Sequence, residues 1–205
     1  IQLPSIEVSA RSYGFAKGDF DRDGDNDLAA IVAQQADIVE IWLNDGQGVF
    51  QFHSSLPVGV NPMGIVALDW DGDEFDDLAV VAAYTVSELF LIDNKGNDEG
   101  GVWLGFSVRP AINPGFTPSG IHAEDLDHDT FVDLFVTSSS ANVLLILWNN
   151  GAGHFDRETR LTFADSPNVI AADINLDGLI DLVAPGSSRF LLWRLNLGSL
   201  SFSTS

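Results

Sequence analysis

One phrase recurs four times in this chain and limits what it can fold into: a nine-residue stretch with aspartates at alternate positions, followed by leucine. It reads Asp19-Phe-Asp21-Arg-Asp23-Gly-Asp25-Asn-Asp27-Leu28 at its first appearance. It returns as Asp69-Trp-Asp71-Gly-Asp73-Glu-Phe75-Asp-Asp77-Leu78 and as Asp125-Leu-Asp127-His-Asp129-Thr-Phe131-Val-Asp133-Leu134. The last copy is Asp173-Ile-Asn175-Leu-Asp177-Gly-Leu179-Ile-Asp181-Leu182. The starts lie 50, 56 and 48 residues apart. A fixed period of this length marks a repeat architecture, in which each unit buries its apolar faces only against its neighbours.

Each copy sits in the same surroundings. A short apolar stretch precedes it, a second follows at 28–32, 78–82, 134–137 and 182–184, and a third at 38–43, 89–92, 143–148 and 190–195. An Asn/Gly turn comes next, beginning at Asn44, Asn94, Asn149 and Asn196. An aromatic closes three of these turns at one offset: Phe50, Phe155 and Phe202. The stretches are short, β-branched or aromatic, and bounded by Gly, Asn and Asp, so they read as strands. Asn-Gly suits tight hairpins because their central residues need positive φ. Four strands per unit, in units of this length, are the blades of a β-propeller. The chain is therefore expected to be all-β, a single propeller domain over 1–205. Its repeats run over 9–58, 59–114, 115–164, and 165–205 together with 1–8. The second is longer because of a Gly-rich hairpin within 93–106.

The loops call for a cation. Calcium takes six to eight hard oxygen ligands, and a tight loop with carboxylates at positions 1, 3, 5 and 9 can wrap one. Polar turns account for one or two aspartates, but not for four in nine residues, which would repel one another without a counter-ion. The helix–loop–helix calcium motif fails here. It needs a glutamate at position 12, where this chain has Ala30, Val80, Val136 and Ala184, all in the following strand. The loops use fifteen of the 30 acidic residues, and so explain much of a net charge of −21. Gly24 and Gly178 stand at position 6, where a left-handed backbone is expected; Glu74 and Thr130 stand there in the other two copies.

The wording of the repeat resembles the FG-GAP or VCBS repeat family. The resemblance rests on Gly-Ile-x-Ala before the loop, Asp-x-Asp-x-Asp-Gly-x-x-Asp-Leu within it, and Asn-x-Gly-x-Gly-x-Phe after it. Such repeats build the propellers of integrin α-subunits and of many secreted proteins. The resemblance implies up to four Ca²⁺, each between the first and second strands of a blade. The side-chain ligands would be Asp19, Asp21, Asp23 and Asp27; Asp69, Asp71, Asp73 and Asp77; Asp125, Asp127, Asp129 and Asp133; and Asp173, Asn175, Asp177 and Asp181. The carbonyls of Asp25, Phe75, Phe131 and Leu179 would join them. Propellers of this family commonly have seven blades, and this chain has four repeats. We expect a closed four-bladed ring, with residues 1–8 pairing as a strand beside the last blade. The alternative is part of a seven- or eight-bladed ring completed by more sequence or another copy.

Composition bounds the function. Hydrophobic residues at 45% mark a globular chain, and no apolar run is long enough to span a membrane. The negative charge opposes binding to nucleic acid or anionic lipid. Cysteine is absent, so thiolate metal sites and cysteine nucleophiles are excluded. Nor is there a Gly-x-Ser-x-Gly, a His-Glu-x-x-His or a phosphate loop. The expected function is a recognition module binding carbohydrate or a protein, located outside the cell or on a cell or virion surface. The oligomeric state is left open. Candidate ligand contacts are Arg11, Tyr13, Tyr84, Phe116 and Arg189 on the loops opposite the metal sites, and His122 in an inner strand near Glu124 and Lys17. The alternatives are a polysaccharide lyase or hydrolase on the same scaffold, and a purely structural assembly module.

Overall fold

A computed structural model describes residues 5–33, 36–138, 140–162, 169–185 and 191–203. Among them there are strands and turns but no helix, and hence no helix long and apolar enough to cross a membrane. The first sheet is β1 (Arg11–Gly18), β2 (Asp27–Ala33), β3 (Ile38–Asn44) and β4 (Phe50–Pro57). The second is β5 (Pro62–Leu68), β6 (Asp77–Ala83), β7 (Ser87–Asn94) and β8 (Phe106–Val108). The third is β9 (Gly120–Glu124), β10 (Asp133–Thr137), β11 (Val143–Trp148) and β12 (Arg157–Thr162). The fourth is β13 (Ile170–Ala172), β14 (Asp181–Pro185) and β15 (Leu191–Arg194), where Phe202 bridges Asn196 in the position of an outer strand. Every sheet is an antiparallel meander in chain order.

The second strand of each sheet is apolar nearly throughout because both of its faces are covered. In β6, Leu78, Val80 and Ala82 alternate with Ala79 and Val81, and all are buried. The odd and even residues enter different cores. Leu78, Val80 and Ile92 pack with Ala29, Ile31 and Ile41 of the first sheet. Ala79, Val81 and Leu91 pack with Leu134, Val136 and Leu145 of the third. Phe135, Leu144 and Ile146 in turn meet Leu182 and Ala184 of the fourth. The chain is thus a stack of sheets joined by three apolar layers, with period-2 alternation assigning each side chain to one layer or the next. The four inner strands, β1, β5, β9 and β13, line a common cavity of about 720 Å³.

Four antiparallel sheets with no helix are as the sequence led us to expect. Closure of the ring is not shown: no strand pairing and no core cluster among the described residues joins the fourth sheet to the first. Residues 5–8 lie in no strand, and Ser5, Ile6 and Glu7 border a groove with Trp42, Val49 and Phe50 of the first sheet. Residues 1–4, the start of the expected closing strand, lie outside the described residues.

A polar clasp locks each layer. Asn94 donates from Nδ2 to the carbonyl of Asp76 in its own loop at 3.1 Å, and to that of Phe20 in the preceding sheet at 2.8 Å. Asn149 repeats this with Val132 at 3.2 Å and Trp70 at 2.9 Å, and Asn196 with Ile180 at 3.1 Å and Leu126 at 2.6 Å. All three amides are buried. Asn149→Ala should cost about 2–4 kcal/mol, because it leaves a buried carbonyl unpaired and removes the bond from Gly151 N–H to Asn149 Oδ1. Urea unfolding in calcium measures it.

Candidate metal centres

Each aspartate-rich loop connects the first and second strands of its sheet, and its own backbone shapes it. Positions 4 and 6 are left-handed in all four copies. The φ values at position 6 are 98° at Gly24, 69° at Glu74, 79° at Thr130 and 88° at Gly178. At position 4 they are 58° at Arg22, 79° at Gly72, 63° at His128 and 62° at Leu176. Glycine holds this conformation at little cost, whereas a β-branched threonine does not. Glu74 and Thr130 nevertheless keep the same turn, so the loop geometry is common to all four.

Aspartate side chains fold inward onto loop amides. At position 1, Asp19, Asp69, Asp125 and Asp173 each accept the position-6 N–H through Oδ2, at 3.1, 2.9, 3.0 and 2.9 Å. At position 5, Asp23, Asp73, Asp129 and Asp177 accept the N–H two residues on, at 3.0, 2.9, 2.9 and 2.9 Å. Position 9 is buried and accepts through both oxygens. Asp27 takes Phe20 N–H and Asn44 N–H, each at 2.9 Å. Asp77 takes Trp70 and Asn94, Asp133 takes Leu126 and Asn149, and Asp181 takes Ile174 and Asn196. The closing aspartate therefore staples the start of its loop to the Asn/Gly turn after the third strand.

Three carboxylates converge in each of three loops: Asp19, Asp21 and Asp27; Asp69, Asp71 and Asp77; and Asp125, Asp127 and Asp133, with oxygens within 4.8 Å of one another. This is a set of hard anionic donors that fits a calcium ion. Asp19 Oδ1, in the first, is buried with no hydrogen-bond partner. Asp23, Asp73 and Asp129 lie outside the converging sets. In the fourth loop Asn175 replaces the middle aspartate and its amide donates to Asp177 Oδ2 at 2.9 Å. No three acidic groups converge there among the described residues.

Crowding and burial act together on these groups. Burial pushes the carboxyl of Asp27 up to about 6, that of Asp133 up to about 7 and that of Asp77 up to about 8. Asp21, Asp73 and Asp127 are raised too, by burial first and then by neighbouring aspartates. With a folded pKa above the unfolded one, the native chain holds more protons between about pH 4 and pH 8. Its stability without calcium therefore falls as pH rises through that window. A calcium ion held there would compete for the same oxygens, so its binding would release protons and strengthen with pH. Thermal melts across pH 5–8 should show stability falling with pH in chelator and a nearly flat profile in saturating calcium.

A model of the FG-GAP-like repeat matches residues 19–80 and 125–184, more than half of the chain. The chain belongs to the FG-GAP-like repeat family. The matched segments include all four loops and at least the start of the strand after each, and an FG-GAP-like array fits the sheets as propeller blades. No curated protein matches this sequence.

The other side chains singled out from the sequence do not gather into one site. The Arg11 guanidinium lies 4.9 Å above the Tyr13 ring. Tyr84 is exposed in the turn after β6. Phe116 packs on the second core layer beneath Arg160. His122 stacks on Phe135 at 5.0 Å and lines the central cavity with Lys17 and Glu124. Arg189 lies outside the described residues. Sequence reading missed Asp76, which reaches from the second loop to accept the N–H of Asp19 at 3.3 Å. It also missed Arg22, which pairs with Glu74 and lies over Phe75. These contacts couple the first two loops across a sheet boundary, and nothing local to either residue signals them.

Proposed function

We propose that this protein is a calcium-stabilised propeller module that recognises a carbohydrate or protein ligand without catalysing a reaction, and that it works outside the cell. The converging carboxylates carry the metal part of this reading. Calcium in each loop would neutralise the triad and fix the angle at which the first strand turns into the second. The ions would support the scaffold rather than touch the ligand.

Recognition would then use the opposite end of the sheets. The pairing of Arg11 with Ala33 puts the start of β1 beside the end of β2, away from the metal loop. Tyr13 is exposed there, as is Tyr84 at the corresponding end of the second sheet. Exposed aromatic rings beside a guanidinium suit stacking on sugars or docking on a protein. Glycan arrays and pull-downs, each with calcium and with chelator, test the reading. We expect binding that Tyr84→Ala weakens without unfolding the chain. Absence of binding in both assays with calcium-loaded protein would refute it.

A further inference from the structure

The repeat shows what each sheet does with its two faces. One face gives a row to the next sheet: Ala16–Ala29–Ile41, then Val66–Ala79–Leu91, then His122–Phe135–Ile146. The same register in the fourth sheet gives Ile170–Val183–Trp193. Ile41, Leu91 and Ile146 are at most 4% exposed, yet their counterpart Trp193 is 58% exposed. Position 2 of each loop behaves likewise. Phe20, Trp70 and Leu126 are at most 1% exposed and have their carbonyls clasped by the next sheet's asparagine, whereas Ile174 is 45% exposed.

The other face receives. Ile65, Ile121 and Val169 are at most 9% exposed beneath the preceding sheet, but Phe15, at the same place in the first sheet, is 71% exposed. Asn44 donates to its own loop at Asn26 O (3.2 Å) and lacks the cross-sheet bond that Asn94, Asn149 and Asn196 make. Ser9 N–H meets Glu40 on this face at 3.1 Å. Gly59, five residues before Gly64 as Ser9 is before Gly14, lies against Phe90, the counterpart of Glu40. Ser9 therefore lies where the connection leaving the outer strand of a preceding sheet lies.

The first and fourth sheets thus present the two halves of a joint that the chain already makes three times. We infer that these faces join two copies of this chain head to tail. The fourth sheet of each copy would pack on the first sheet of the other, with Ile174 O accepting from Asn44 Nδ2 and Trp193 and Ile170 packing near Phe15. Within one copy the two faces share no core cluster among the described residues, while two copies related by a twofold axis make both joints at once. The result is a ring of eight sheets, within the range that propellers adopt. The inference rests on the sheets being blades.

Sedimentation velocity on the 205-residue chain at micromolar concentration in calcium tests it. Twice the 22.1 kDa chain mass is expected. Phe15→Asp and Trp193→Asp, each exposed within one chain and neither a metal ligand, should each abolish the dimer while leaving circular dichroism and calcium uptake unchanged. Mixing the two variants should restore a dimer, because one joint between them has both faces intact. A wild-type monomer, a dimer indifferent to both substitutions, or an open-ended polymer would overturn the inference. Loss of calcium uptake in the wild type would instead count against the metal-stabilised blade itself.

Discussion

Chelating calcium should lower the melting temperature of this protein by roughly 15–30 °C, given about 2.7 kcal/mol per site at a hundred-fold ligand excess and about 2–4 °C per kcal/mol for a chain of this size. Three converging carboxylate triads supply the sites. Each forces like charges together, and relief of that repulsion is what a bound ion would contribute. The first loop should respond most, because Asp19 Oδ1 is buried without a partner and Asp76 packs against the same segment. Differential scanning calorimetry in calcium and in excess chelator reads the shift. A change of only a few degrees would mean that the hydrogen-bonded loop frame stands unaided.

The second large effect separates two kinds of aspartate that look alike in sequence. In chelator, Asp77→Ala should destabilise by about 2–6 kcal/mol, because two buried amides, Trp70 N–H and Asn94 N–H, lose their acceptor. Asp73→Ala should cost about 1 kcal/mol or less under the same conditions, since its bond to Phe75 N–H is only partly buried and its removal relieves repulsion from Asp69 and Asp71. In calcium, the Asp77 variant should also lose metal affinity, because Asp77 belongs to the converging set and Asp73 does not. Urea unfolding with and without the ion gives the four numbers. Equal costs for the two variants in chelator would remove the distinction between the buried clasp and the exposed loop carboxylate.

Much of the scaffold is legible because it depends on local patterns. The fourfold phrase, the strand-length apolar runs and the Asn/Gly turns locate the sheets and place every loop between first and second strands. The absence of glutamate at position 12 separates these loops from helix–loop–helix sites, and β2, β6, β10 and β14 occupy that position as strands. What escapes is whatever joins distant parts of the chain. Asn94, Asn149 and Asn196 read as turn residues, but their second bonds cross 74, 79 and 70 residues to the preceding sheet. The closing aspartates read as metal ligands, and their four pairs of amide donors are invisible without coordinates. The repeat also specifies how one sheet meets the next without specifying how many meet around an axis. That is why ring size does not follow from repeat count.

The central claim is that the loops hold calcium. A long-wavelength anomalous difference map from crystals grown in calcium tests it most directly. We predict a peak inside each triad closed by Asp27, Asp77 and Asp133. Ordered loops with no anomalous density in any of the three would contradict it.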